Sequence, residues 1–221
     1  MRSRFTRFFR YLLILCLLLA GWILFDLYQP QKVDLRNFDP VEVARLDTAM
    51  WKSYYKKDRA QLYAELTELL EIQYQLSFWK KQQVAWYAGS AAFVFKKGRS
   101  RKDYEKALPD LTKFFERIHA LSLTDFDAAE AARLELEWWI IHRERNKRKP
   151  GELARALAEA VAELYQMPVD KFTDYGDFRA RAMGIRDQKS KAGGVTEEDW
   201  ENIETLLNQS WRSLHDAVNQ S

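Results

Sequence analysis

The segment from Asp127 to Arg145, DAAEAARLELEWWIIHRER, holds the residues whose types and spacing best suit chemistry. Turning 100° per residue, Ala131, Leu134, Trp138, Trp139 and Ile141 form one broad apolar face of a helix. Asp127, Glu135 and His142 fall within that face. Glu135 and His142 are two turns apart and so nearly in line. A carboxylate buried among aromatic rings must be ion-paired, metal-bound or protonated, because burying an isolated charge is very costly. One outcome is a catalytic or metal-binding carboxylate–histidine pair in an aromatic pocket. The other is a satisfied core network, with Glu135 held by an arginine from another helix. The second is the commoner fate of such groups.

Asp47 also interrupts an apolar stripe, among Val43, Met50, Trp51 and Tyr54. Glu65 shares its face if one helix runs through both, and Arg59 is a natural ion-pair partner. Glu116 and His119, in FFERIHA, form a Glu-x-x-His motif. A di-iron carboxylate bundle needs two such motifs on different helices. The residue three before His142 is Trp139 and the one three before His215 is Arg212, so the second is missing. Glu135, His142, Glu116 and His119 are therefore weak metal candidates, and three histidines leave little material for a zinc enzyme.

Other chemistries find no residues. There is no glycine-rich phosphate loop and no Gly-x-Ser-x-Gly elbow. Gly193-Gly194 is a turn, and Ser90 lies mid-helix. The lone cysteine, Cys16, sits in an apolar run, so the rest of the chain has no thiol nucleophile or thiolate metal ligand. No cofactor is expected. Aromatic residues make up 14% of the chain, enough to line a pocket for an apolar molecule, but at helical spacing such residues usually form core.

The elements that must position these side chains are helices. Eight glycines and five prolines in 221 residues argue for few turns. Asp39-Pro40 opens a helix that runs to about Leu76, with a bend near Asp58-Arg59. Ser77 caps a helix over 78–97 ending at Gly98. Its small residues Ala85, Ala88, Gly89 and Ala92 offer close approach to a neighbour, and Trp79, Trp86 and Phe93 share another face. A helix from Ser100 to about Leu121 is kinked or split by Pro109. The next begins at Thr124 or Asp125 and reaches about Lys147, where RERNKRK places five bases at a helix C-terminus, favoured by the macrodipole. Helices over about 152–166 and 174–191 follow. Thr196 and Asp199 form a capping-box pattern ahead of Trp200, Ile203, Leu207, Trp211 and Leu214. Short connections predict an all-α antiparallel bundle of about six or seven helices over residues 39–221.

Ahead of the bundle stands an address. Arg2, Arg4, Arg7 and Arg10 form a basic tail over 1–10, and residues 11–27 carry no charge before Asp26. At about 1.5 Å per residue this segment spans most of a bilayer core of about 30 Å. Trp22 and Tyr28 lie where aromatic rings favour the interface. No small-x-small cleavage site follows, so the segment reads as a signal-anchor rather than a cleaved leader. Residues 28–38 read as a linker leaving the membrane. The positive-inside rule puts the tail in the cytoplasm and the body in an extracytoplasmic, periplasm-like compartment. The four arginines outweigh the total charge of +3, leaving the body near −1, so a nucleic-acid partner is not expected. The leading expectation is a single-pass inner-membrane protein whose helical domain serves as an interaction or assembly module for another envelope protein. The alternative is an enzyme or ligand-binding domain, metal-dependent or not, with Glu135 and His142 at its site.

Overall fold

A computed structural model of the chain describes residues 2–220, with side chains from residue 7 onward; the side chains of Arg2 and Arg4 lie outside the described residues. These residues form an all-α structure. Helix α1 (Arg2–Tyr28) precedes a bundle of α2 (Pro40–Lys56), α3 (Arg59–Tyr74), α4 (Phe78–Lys97), the single turn α5 (Arg101–Tyr104), α6 (Leu108–Leu121), α7 (Ala128–Arg143), α8 (Glu152–Tyr165), α9 (Thr173–Lys191) and α10 (Glu197–Asn219). Within α1, Arg7–Tyr28 is long and apolar enough to cross a membrane, with a mean hydropathy of 2.3 over its most apolar 18 residues, none of them buried in the fold, while Asp26 near its end is buried.

The local chemistry sets most boundaries. Asp39 accepts from the backbone N–H groups of Val41 and Glu42, and Pro40 occupies the first turn of α2. Thr196 and Asp199 complete a reciprocal capping box on α10. The bundle proper has eight helices besides the turn α5, more than the six or seven expected, because the predicted 39–76 helix is two. Lys57 adopts a left-handed φ of 62°, ending α2, and Asp58 caps α3 through the Gln61 N–H. Pro109 starts α6 rather than kinking it, since a proline N–H is not needed in a first turn. Gly98 has an ordinary extended backbone; a Cβ there would meet the Tyr104 ring at 2.6 Å, so space, not a positive φ, requires glycine.

Consecutive helices pair around one main core, with a smaller cluster under α9 and α10 built on Ala182, Trp200, Ile203 and Leu207. The 28–38 segment joins α1 to α2 but is built into the fold. Val33, Leu35 and Phe38 are buried, Val33 pairs with the backbone around Ser122, and the Tyr165 hydroxyl donates to the Leu35 carbonyl at 3.1 Å. On the predicted small-residue face of α4, Ala85 is buried but Gly89 and Ala92 are exposed, and a Cβ on Gly89 would meet nothing within 4 Å.

Candidate functional site

Asp47 pairs with Arg179 of α9, whose charge also acts on Glu135. Asp47 leaves α2 on its buried side and receives both guanidinium arms: Arg179 Nη1 donates to Oδ2, and Nη2 donates to Oδ1 at 3.3 Å. Trp211 of α10 adds a third bond, its Nε1 donating to Asp47 Oδ2 at 2.9 Å. The guanidinium lies between the rings of Trp51 and Trp211, 5.7 and 5.6 Å from their centroids. Arg59, the expected partner, is exposed on α3, because the break at Lys57 ends the continuous face that would have brought it round. Glu65 lies on α3 too and accepts from Gln61 Nε2 at 3.0 Å.

Glu135 is held from its own helix. Its two oxygens accept from Trp138 Nε1 at 2.8 Å and Trp139 Nε1 at 2.9 Å, the i+3 and i+4 residues. The residue as a whole is only partly buried, but the carboxyl is enclosed. Burial is the largest influence on it and raises its pKa; the two indole N–H groups and the Arg179 charge oppose that without reversing it. Nearby, burial pushes the Tyr175 hydroxyl up to about 12. For Arg179, burial alone would favour loss of the proton. The charge of Asp47, its hydrogen bonds and the charge of Glu135 outweigh burial and hold the proton more tightly than in water.

His142 does not join Glu135. It belongs to a second ionic cluster, where its Nε2 meets Asp187 Oδ2 at 3.0 Å. Arg145 reaches the same oxygen at 2.9 Å, and Arg186 donates to Oδ1 at 3.0 Å while its guanidinium stacks 3.1 Å from the Tyr55 centroid. Asp187 is buried, and burial, the largest influence, works to raise its pKa. The His142 hydrogen bond and the charges of His142 and the arginines overcome it and hold the carboxyl below its ordinary value.

The other candidates stand apart from these clusters. Asp127 is exposed at the N-cap of α7, its Oδ1 accepting from the Ala129 and Glu130 amides at 2.8 and 3.1 Å, so it stands outside the apolar face expected to bury it. Glu116 is exposed, and His119 pairs with Asp125 at 2.9 Å at the end of α6. Among the described residues, no three His, Cys, Asp or Glu side chains are grouped to hold a metal ion. Two open surface grooves, of about 570 and 300 Å³, lie chiefly along α7–α8 and α8–α9; Arg145 of the Asp187 cluster lines the smaller, and none of Asp47, Glu116, His119, Asp127, Glu135 and His142 lines either. The polar chemistry of the interior is therefore pairing: Asp47 holds one buried guanidinium beside Trp51 and Trp211, and Asp187 gathers two arginines and a histidine.

Arg179, Trp211, Asp187 and Arg186 escaped the reading of the sequence. A signal for three of them existed. Tyr175, Arg179, Met183 and Asp187 recur every four residues along α9, with Ala182 and Arg186 alongside, so the charged residues share the buried face. No protein-family model matches the chain, and neither a curated protein nor a solved structure does.

Proposed function

We propose that the chain is a single-pass membrane protein of the cell envelope whose helical body acts as an extracytoplasmic interaction module. The observation that carries this reading is the joint between α1 and the body. Asp26, the charge that limits the apolar run, accepts from the first amides of α4: Trp79 N–H at 2.7 Å and Lys80 N–H at 3.3 Å. Ser77, at the N-cap position, makes no capping bond, so α1 supplies the cap. Trp22 stacks on Phe78 with centroids 5.7 Å apart and meets Trp79 edge-on at 5.4 Å. Lys80 then donates back to the Gln29 carbonyl at 3.1 Å. An anchor locked in this way holds the body at a defined height and orientation above a bilayer. That geometry serves a surface presented to a fixed neighbour better than a site that must seek diffusing substrates. The basic residues ahead of the span, against mixed charge after it, support a body outside the cytoplasm.

The test compares full-length protein with a Trp22→Ala, Asp26→Ala variant, both tagged after Ser221 and cross-linked in native membranes. The reading expects one discrete partner on the wild type and a weaker adduct on the variant, whose anchor remains but whose joint is loosened. A wild-type protein that stays monomeric and without an adduct would refute it. A reporter active only in the cytoplasm, fused after Ser221, should be silent; a signal would invert the topology.

A further inference from the structure

Helix α4 carries three large apolar side chains on an exposed face of the body. Phe78, Trp86 and Phe93 are 48%, 69% and 55% exposed. Trp79, Trp86 and Phe93 are seven residues apart, so each step advances about 10 Å along the helix and drifts only about 20° around it. The stripe begins at the two rings that touch Trp22. Because Trp22 lies within the apolar stretch of α1, Phe78 and Trp79 stand at the same depth as the end of the span.

Charge marks what covers the rest of the stripe. Helix α4 has four lysines and no acidic residue, and the run from 96 to 102, KKGRSRK, holds five bases without an acid. The Lys97 ammonium sits 3.9 Å from the Phe93 ring centroid and Lys81 lies 5.7 Å from that of Phe78. Arg101 is engaged by Glu105 and Glu137, but the side chains of Lys96, Lys97, Arg99 and Lys102 are exposed. Exposed Trp and Phe bordered by bases are the composition of a helix lying in a membrane interface, rings in the headgroup–acyl boundary and cations among anionic headgroups. A soluble partner would be met as well by a polar rim of either sign.

We infer that α4 lies on the bilayer that α1 crosses, with Trp86 and Phe93 in its interface and the 96–102 run against anionic headgroups. This rests on the membrane anchoring proposed above and adds a second contact, so that the body lies on the membrane instead of standing off it.

Site-directed spin labelling of the full chain separates the two readings. In a Cys16→Ser background, single labels replace Trp86, Phe93, Leu18 and Asn202 in vesicles of phosphatidylcholine and phosphatidylglycerol. Leu18 lies in α1, and Asn202 is exposed on α10. Dissolved oxygen probes lipid and a nickel chelate probes water. The inference expects positions 86 and 93 to gain several-fold in oxygen over nickel collisions relative to position 202. Nickel-dominated collisions at 86 and 93, with lipid exposure at 18, would overturn it while leaving the anchor intact. Exclusion of both reagents from 86 would assign the face to a protein and also overturn it. Nickel access at 18 would defeat the anchor itself.

Discussion

Replacing Arg179 with methionine should be among the most damaging single changes in the body. Methionine keeps most of the volume and removes the cation that Asp47 binds and whose charge acts on Glu135. At a separation of about 4 Å and an effective dielectric near 20, the attraction of one pair is about 4 kcal/mol. The change also removes two charge-assisted hydrogen bonds to Asp47. Against this stands the relief of no longer burying a guanidinium. Breaking one side of a buried pair costs about 3–5 kcal/mol in practice, because the remaining charge is stranded. For a body of this size, about 2–4 °C per kcal/mol turns that into a fall in Tm of roughly 6–20 °C. Guanidinium unfolding of the detergent-solubilised chain, followed by tryptophan fluorescence, measures it.

The pH dependence of the variant is a sharper check. Glu135 already has a raised folded pKa, and Arg179 is among the groups restraining that rise. Without the cation, the folded state binds its proton more tightly still than the unfolded state. A carboxyl with a raised folded pKa stabilises fully below its ordinary value and loses that contribution as pH rises through the folded value, so the deficit of Arg179→Met is largest near neutrality. It shrinks as pH falls toward the ordinary glutamate value of about 4.3. A companion Asp47→Leu, Arg179→Met variant removes the stranded charge at Asp47 and should recover part of the loss. A single-variant cost below about 1 kcal/mol, the range of exposed pairs, would refute the claim that the Asp47–Arg179 pair is buried.

Three further outcomes follow from the geometry. Gly176→Ala should destabilise by about 1–3 kcal/mol, because the new Cβ falls 2.1 Å from the Ala154 carbonyl oxygen and forces α8 and α9 apart. Gly184→Ala, in open space on the same helix, should be neutral or stabilising by about 1 kcal/mol, and equal effects in chemical denaturation would contradict the crossing. Asp26→Ala removes the cap of α4, worth about 1 kcal/mol, so hydrogen exchange at the Trp79 and Lys80 amides should quicken about five-fold while the α10 amides stay unchanged. Asp187 has a depressed folded pKa, so its contribution is present above the ordinary aspartate value of about 3.9 and is lost as pH falls through the folded value. Asp187→Asn should therefore lower stability at pH 7 and flatten its acid-side decline; an unchanged slope would show that the carboxylate is not held by His142, Arg145 and Arg186.

The all-α class, the apolar N-terminal helix and most helix starts were legible because they rest on local chemistry: Asp39-Pro40, the Thr196–Asp199 box and the 3.6-residue stripe of α10 each act within a few residues. Asp47 and Glu135 were legible as buried charges because each breaks an apolar face. The partner of Asp47 was not, since it comes from 132 residues away, and nothing in a local window links α2 to α9. Helix α9 hid further because its buried face is charged; Arg179, Arg186 and Asp187 blur the amphipathic contrast that marks α10. The pairing of Glu135 with His142 failed for a related reason. Two turns along one helix align two side chains, yet Glu135 bonds the two indoles of its own helix while His142 turns to Asp187 of α9.

Asp26 shows how one residue can mean different things at two levels. Along the chain it is a flaw in an apolar helix long enough to cross a membrane, a carboxylate within its last turn. In the fold it meets the unsatisfied amides of the first turn of α4, where the helix dipole also favours negative charge. The carboxylate therefore has a reason to sit at the end of α1, and α4 has a reason to lack a capping side chain of its own at Ser77. With Trp22 packed on Phe78 and Trp79 beside it, the two helices meet through a polar and an apolar contact at once. A joint made in both ways resists rotation about α1, so the direction in which the α4 aromatic stripe faces is set by α1 rather than by a flexible tether.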